Sequence, residues 1–256
     1  MRKQIVECLK PDILCLIETH LKHNENINID NYFWIGNNRR SITLRAPKPS
    51  GGIGVLIHQC LLSQYSVRVV DKQYDGVLIV ELKNISTDFI CLLCICYLSP
   101  ENSQWGRDPV RFFTHVLSQI YLCTYADLVV LCGDINARVG KQIDCITDLD
   151  VLPDRQILDT QKNGHGKSFI EFLKDSKLCI VNGRVKPECD NYTFLSSRGK
   201  SVVDHFCVPH ECLKLCVDFQ ILIMSDVIDT SCLIYCQNLV KLQIIPSYLL
   251  VLICHL

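Results

Sequence analysis

The sequence predicts a mixed α/β sandwich, and three observations support this fold class. Short apolar runs of strand length recur along the chain. Only a few amphipathic helical segments separate them, which argues against the regular alternation of a strictly parallel, doubly wound sheet. Hydrophobic residues make up 48% of the 256 positions, so the chain has ample material for a buried core.

The elements of this sandwich follow one another in order. The pattern of residues 1–10 predicts an amphipathic helix that ends before Pro11, and residues 12–18 form an apolar strand. A domain that opens on a helix is unusual. We therefore expect that a preceding strand is missing and that strand 12–18 has an open edge. Further strands are predicted at 51–57, 76–82, 89–98, 127–132, 192–195 and 201–208, with helices at 108–120 and 167–177.

The distribution of charge limits how the chain could bind nucleic acid. Its formal net charge is −1, so a positive field would have to be local. The stretch between Asp30 and Asp71 has no acidic residue. A phosphate-facing patch and an ordinary solvated loop both explain this composition. The cations of the stretch are Arg39, Arg40, Arg45, Lys48 and Arg68.

The cysteines indicate a reducing compartment rather than a disulfide scaffold. There are 17, but Cys91 and Cys94 lie in the apolar run FICLLCICYL, with no second pair placed to complete a zinc site. We predict that they are strand core. The N-terminus has no signal-peptide core, which predicts a nuclear or cytoplasmic protein. The C-terminal tail IIPSYLLVLICHL is apolar but too short to span a bilayer comfortably, so no membrane association is expected. No obligate protein partner is evident in the sequence.

Two carboxylates stand where apolar strands end. Glu18 follows ILCLI, and Asp134 follows LVVLCG. The end of a strand is rigid and faces a loop-lined cleft, so these acids are well placed to bind a hard cation. The alternative is that each acid caps a following turn or helix, and for either acid alone this alternative is slightly favoured. Asp134 also has Gly133 before it and Asn136 after it, and residues two apart in an extended segment can face the same side.

Six segments together resemble a known family. PDILCLIETHL, SGGIGVLIH, YLSPENS, LCGDINARVG, NYTF and SVVDHFCV are similar, in order and spacing, to segments of the endonuclease/exonuclease/phosphatase superfamily. They are most similar to the endonuclease domains of non-LTR retrotransposons. The resemblance runs from about residue 1 to residue 210. It implies a four-layer sandwich of two β-sheets flanked by helices, with a Mg²⁺ or Mn²⁺ site at one end. We assign residues 1–222 to this domain and 223–256 to a divergent tail.

The resemblance also implies roles for individual residues. Glu18 matches the metal-binding glutamate of the family, and Tyr97 matches a tyrosine that contacts the scissile phosphate. Asp134 matches the aspartate that activates or positions the attacking water, and Asn136 matches its phosphate-stabilising neighbour. Asp204 matches an aspartate that orients a catalytic histidine. These residues are the predicted site.

The chain departs from the family pattern at two hallmarks. An asparagine on a strand before the first helix is missing, and Ser225-Asp226-Val227 has valine where the family has histidine. His205 follows Asp204 directly, but neighbours on a strand point to opposite faces, so it cannot be the partner of Asp204. Some retroelement relatives carry their Asp-His further on, after an insertion, but in this sequence that region has drifted into IIPSYLLVLICHL. On either alignment the catalytic histidine is absent. His165 and His210 are the candidates to replace it.

The predicted function is metal-dependent cleavage of DNA by a retrotransposon-type endonuclease, once linked to a reverse transcriptase, with impaired turnover. Thr193 would begin a segment that contacts DNA, and Arg39, Arg40 and Arg45 would add further contacts. Phosphoinositide phosphatases and RNA deadenylases share the fold but fit YLSPENS and GDINARVG less well. The alternative function is that of an inactive retroelement relic, which retains only the fold or nucleic-acid binding.

Overall fold

Strands make up most of the structure. A computed structural model describes residues 6–7, 9–22, 24–39, 51–103, 106–197, 199–223, 236–244 and 247–255. The helices are α1 Gln59–Leu62, α2 Pro109–Leu122 and α3 Gly164–Ser176, with a 3-10 helix at His210–Leu215. The strands are β1 Ile13–Ile17, β2 Tyr32–Asn37, β3 Ile53–His58, β4 Tyr65–Asp71, β5 Val77–Asn84, β6 Ile90–Tyr97, β7 Leu128–Asp134, β8 Leu178–Ile180, β9 Phe194–Ser196, β10 Gly199–Ser201, β11 Asp204–Pro209, β12 Cys216–Ile223, β13 Cys236–Ile244 and β14 Ser247–His255. No helix in these ranges is long and apolar enough to cross a membrane.

Two six-stranded sheets and a small hairpin organise these strands. The first sheet has the order β12-β13-β14-β1-β3-β2, and the second has the order β4-β5-β6-β7-β11-β8. Strands β9 and β10 form a separate antiparallel hairpin. Each large sheet contains one parallel pair, β1 with β14 and β6 with β7, beside antiparallel pairs. The predicted mixed sheets are confirmed.

The hydrophobic residues fall into layers on either side of the two sheets. The inner faces of the sheets share one core, to which β1 contributes Ile13, Cys15 and Ile17. Helices α2 and α3 cover the outer face of the second sheet, where four phenylalanine rings pack together. On the outer face of the first sheet, Val6 packs with Leu14 and Leu16. The four phenylalanines are Phe112, Phe113, Phe169 and Phe172.

Helix starts follow the signals in the sequence. The side chain of Asp108 accepts a hydrogen bond of 2.9 Å from the amide of Arg111, as expected for the residue that caps α2. Helix α3 begins at Gly164 rather than near residue 167, because Asn163 caps it by accepting from the amide of Gly166 at 2.8 Å. The predicted core position of Cys91 and Cys94 is confirmed, since both are buried.

Strand β1 lies inside its sheet, so the expectation of an open edge beside it is wrong. Strand β3 pairs with it on one side, and β14 pairs with it in parallel on the other. The register runs from Ile13 opposite Val251 to Ile17 opposite His255. Both β13 and β14 come from the segment assigned to a divergent tail. The short apolar run of β14 carries no motif that would reveal its partner in the sequence.

Hydrogen exchange can test the position of β1. In a strand with two neighbours every amide is hydrogen bonded, whereas in an edge strand only alternate amides are. We therefore expect all the amides of Ile13–Ile17 to exchange slowly. Residues Tyr32–Asn37 of β2, which among the described strands pairs with β3 alone, should alternate between slow and fast exchange. Alternation within β1 measured by NMR would contradict its pairing with β14.

Candidate active site

Three residues predicted for the site lie in register across neighbouring strands of the second sheet. Tyr97 ends β6 and lies opposite Asp134, which ends β7. Asp134 in turn lies opposite Asp204, the first residue of β11. Opposed residues of paired strands share a face, and Tyr97 belongs to the core between the two sheets. The three side chains therefore line one end of the sandwich on its inner face.

Glu18 joins this group from the first sheet. The hydroxyl of Tyr97 donates a hydrogen bond of 2.6 Å to Glu18 Oε1. Glu18 follows β1 in the left-handed region, with φ 53°, a conformation that is costly for a residue with a side chain. The next amide, of Thr19, donates to the carbonyl of Gly52 at 3.0 Å. Gly52 must be glycine, because its φ is 85° and a Cβ would lie 2.6 Å from Thr19 Oγ1.

Asn136 holds the carboxylate of Asp134. The backbone amide of Asn136 donates to Asp134 Oδ1 at 2.9 Å, and the side-chain Nδ2 of Asn136 donates to Asp134 Oδ2 at 3.0 Å. The same Nδ2 donates to the carbonyl of Leu98 at 3.0 Å. Gly133 has φ 134°, and a Cβ there would overlap the carbonyl of Cys96. The expected proximity of the Asp134 and Asn136 side chains is confirmed.

Asp204 is anchored at the start of β11 by Thr193. The hydroxyl oxygen of Thr193 accepts from the amides of Val203 at 2.9 Å and Asp204 at 3.0 Å. Thr193 is buried, so its hydroxyl supports the site from within and does not face solvent. The segment that follows it, the β9–β10 hairpin, is exposed, and Phe194 keeps 52% of its surface accessible.

Tyr97 is held as a neutral phenol. Burial raises its pKa far above the ordinary value, and the nearby Glu18 carboxylate raises it further. A neutral phenol can donate its proton in a hydrogen bond, whereas a phenolate could not. Tyr97 is therefore a donor over the whole physiological pH range, and Glu18 is one of its acceptors.

The predicted basic stretch divides into separate environments. Arg39 is only 7% exposed, and its Nη2 donates to Ser99 Oγ at 3.1 Å, two residues beyond Tyr97. It is thus a buried cation near the site rather than part of a solvated loop. Arg68 instead pairs with Glu81 at 2.6 Å on β4, at the sheet edge. Arg40, Arg45 and Lys48 lie outside the described residues. Ser99 was missed as a site residue, although YLSPENS contains it.

The histidines considered for catalysis lie elsewhere. His205 is fully buried against Phe169 of α3, on the opposite face of β11 from Asp204, as strand alternation requires. His165 is buried too, with Nε2 hydrogen bonded to the carbonyl of Gly106 at 2.7 Å. His210 follows the far end of β11. Neither His165 nor His210 can replace the missing histidine. Ser225-Asp226-Val227 lies outside the described residues.

The carboxylates of the site fit a magnesium-type ion. Mg²⁺ keeps most of its waters and needs only one or two protein carboxylates. Glu18 is partly exposed at a strand end, and its Oε1 is oriented by Tyr97. Among the described residues there is no group of three or more His, Cys, Asp or Glu side chains that could enclose a metal. The oxygen donors of Glu18 suit a hydrated hard cation.

Comparison with solved structures identifies the fold of the chain. No protein-family model matches the chain, and no curated protein sequence matches it. Solved structures do. An AP endonuclease from Leishmania major is similar with a TM-score of 0.67 at 17% identity, over 91% of this chain and 79% of that one. The endonuclease domain of TRAS1, a telomere-specific non-LTR retrotransposon, gives 0.57 at 15% identity, over 95% of this chain and 92% of that one.

A third similar structure is a 3′ phosphatase from Neisseria bound to product DNA hairpin, with a TM-score of 0.62 at 14% identity, covering 94% of this chain and 92% of that one. The chain has the endonuclease/exonuclease/phosphatase fold. The fold implied by the six sequence segments is therefore confirmed. In this endonuclease/exonuclease/phosphatase fold, the five predicted side chains converge at one end of the sandwich although they come from segments far apart in the chain.

The buried His205 should make the free energy of unfolding of this chain depend on pH. Burial lowers the pKa of His205 from 6.5 to about 4. The unfolded chain binds a proton on this residue at a higher pH than the folded chain does. The free energy of unfolding should thus fall by on the order of 3 kcal/mol as the pH drops from 6.5 towards 4. Urea unfolding measured across this pH range should show a smaller fall in the free energy of unfolding for His205→Gln than for the unmodified chain. His58→Gln should keep the full fall, and an unchanged slope in His205→Gln would contradict the assignment.

Proposed function

We propose that the chain is a divalent-metal-dependent phosphodiesterase that cleaves DNA, with weak turnover. The observation that carries this proposal is the convergence of Glu18, Tyr97, Asp134, Asn136 and Asp204 at one end of the sandwich. Two of the similar structures are named as endonucleases, and a third is a phosphatase bound to product DNA. Those names support DNA as the substrate.

The chemistry of a phosphodiester explains why these groups belong together. Its oxygens are anionic and repel a nucleophile, so catalysis depends on neutralising the charge that builds up in the transition state. Mg²⁺ or Mn²⁺ held by Glu18 would supply positive charge. Tyr97 offers a hydroxyl beside that carboxylate. Asp134 positions the attacking water or accepts its proton, and Asn136 fixes the direction of the Asp134 carboxylate.

The retrotransposon type is the finer part of the proposal. It rests on the six sequence segments, which are most similar to endonuclease domains of non-LTR retrotransposons. The structural similarity to the TRAS1 endonuclease domain, which extends over 95% of this chain, agrees with it. The exposed β9–β10 hairpin with Phe194 would contact DNA beside the site.

Weak turnover follows from the valine in Ser225-Asp226-Val227. A positioned histidine that transfers protons typically contributes about 10²–10⁴-fold to rate. The same valine favours the second candidate function, an inactive relic that binds nucleic acid without cutting it. Cleavage and binding measured side by side separate these two functions.

Metal binding tests the role of Glu18. We expect Glu18→Gln to weaken Mn²⁺ binding about tenfold or more, because the amide removes the charge that attracts the cation. Electron paramagnetic resonance of free Mn²⁺ during a titration would measure the affinity. Glu101→Gln, at an exposed acid in the loop after β6, is the matched control and should bind as the unmodified chain does. Equal affinity in the Glu18→Gln and unmodified chains would show that Glu18 is not a ligand.

A plasmid-nicking assay tests the proposed reaction. With Mg²⁺ or Mn²⁺, we expect slow conversion of supercoiled DNA by the unmodified chain and a further loss of about 10²–10⁴-fold in Asp134→Ala. Asp127→Ala, at the opposite end of β7, is the control and should keep the activity. Equal rates in Asp134→Ala and the unmodified chain would rule out this site. DNA binding without any nicking would favour the relic.

A further inference from the structure

The carboxylate of Asp159 accepts hydrogen bonds from three other residues. Arg138 binds it with two bonds, from Nε to Oδ2 at 2.8 Å and from Nη2 to Oδ1 at 2.6 Å. The amide of Val202 donates to Oδ2 at 3.1 Å, and the amide of Gln161 donates to Oδ1 at 3.1 Å. Asp159 lies in the loop between β7 and α3 and is only 8% exposed. Both of its oxygens are therefore used inside the fold.

Two of these donors belong to the segments that carry the candidate site. Arg138 follows Asn136 by two residues, and Val202 precedes Asp204 by two residues. The two segments are far apart in the chain, and each contributes side chains to the same end of the sandwich. Asp159 thus connects the turn after β7 with the residues that lead into β11.

This connection lies where the strand pairing of β7 and β11 comes to an end. The last register pair of these strands joins the two aspartates of the site. Beyond that pair the amide of Ile135 donates to the carbonyl of Val203 at 3.1 Å, and the connection through Asp159 follows. Asn136, in the same turn, has a left-handed backbone with φ 49°, which persists where the surrounding structure holds it.

The charges of Asp159 and Arg138 match. Burial by itself raises the pKa of Asp159, but the hydrogen bonds from Arg138 and from the amides of Val202 and Gln161 outweigh this effect and bring the pKa below its ordinary value. The carboxylate is therefore ionised at neutral pH. The bidentate contact also fixes the plane of the guanidinium. Arg138 is thus held by Asp159, although its side chain keeps 32% of its surface accessible.

We propose that Asp159 is a positioning residue, which fixes the turn after β7 relative to the start of β11 through Arg138 and the amide of Val202. The inference rests on the proposed function and adds to it a residue that no sequence motif marks. The turn carries Asn136, whose two hydrogen bonds orient the carboxylate of Asp134. A displacement of about 1 Å can lower a rate about 10²-fold, because the reacting groups leave their productive geometry.

Asp159→Asn tests this role in cleavage. The substitution keeps the size of the side chain but removes the charge that holds Arg138. We expect kcat for plasmid nicking to fall about 10- to 10²-fold while the KM for DNA is unchanged, because Asp159 does not touch the substrate. Glu81→Gln, which breaks the bidentate pair with Arg68 at the other edge of the second sheet, is the matched control and should keep both constants. An unchanged kcat in Asp159→Asn would overturn the proposal.

Arg138→Lys provides a second variant if urea unfolding shows that Asp159→Asn does not fold. Lysine keeps the positive charge but cannot make two parallel bonds to the carboxylate. We expect a lower kcat than in the unmodified chain, a larger loss in Arg138→Ala, and an unchanged KM in both variants. A raised KM with an unchanged kcat would show that Arg138 contacts DNA instead, and this result would overturn the proposal.

The side-chain amide of Asn136 gives a readout that does not depend on cleavage. Its Nδ2 donates to Asp134 Oδ2 and to the carbonyl of Leu98, so its NMR chemical shift reports the position of the turn. We expect the signal to move in Asp159→Asn and to stay in place in Glu81→Gln. A signal that stays in place in both variants would contradict the proposal. If the unmodified chain cuts nothing but the signal moves in Asp159→Asn, the proposed function fails while the positioning of the turn by Asp159 is supported.

Discussion

The hydrogen bond from Tyr97 to Glu18 joins the two sheets at the end where the acidic residues meet. Tyr97, Asp134 and Asp204 are already aligned by the ladder of the second sheet, whereas Glu18 belongs to the first. Burial keeps the phenol neutral, so it remains a donor to the carboxylate. The site therefore forms only when the sheets pack face to face, and anything that loosens the inner core also separates its residues.

The site contains buried carboxylates and left-handed backbone conformations, each of which would destabilise the folded state by itself. Asp134 is 7% exposed and Asp204 only 2%, and burial of an ionised carboxylate is costly unless it is hydrogen bonded. Asn136 supplies two donors to Asp134, at the expense of its own left-handed backbone, and Glu18 is held in the same kind of conformation. Conformations of this kind tend to persist at functional sites, where the surrounding structure holds them in place.

The interior of the second sheet was predictable from the sequence, whereas the edges of both sheets and two interior strands of the first sheet were not. Strands β5, β6 and β7 are continuous apolar runs because neighbours cover both their faces. Four of the missed strands, β2, β4, β8 and β12, are the edges of the two sheets; polar residues interrupt the pattern in β2, β4 and β12, and β8 is only three residues long. The other two, β13 and β14, lie inside the first sheet but fall in the segment assigned to a divergent tail. In the site, Glu18 and Asp134 were visible as acids at strand ends. Ser99 was not, because only tertiary packing brings it there.

The pairing of β1 with β14 sets the order in which the molecule can assemble. Ile13 pairs with Val251, so β1 must wait for a strand that is synthesised much later in the chain. Contacts so distant in sequence form slowly, and until β14 pairs with it β1 presents an unpaired edge that can recruit other chains. The pairing of the strand that leads into Glu18 is thus completed only after β14 has been made, and the yield of folded protein depends on how long the edge of β1 stays open until then.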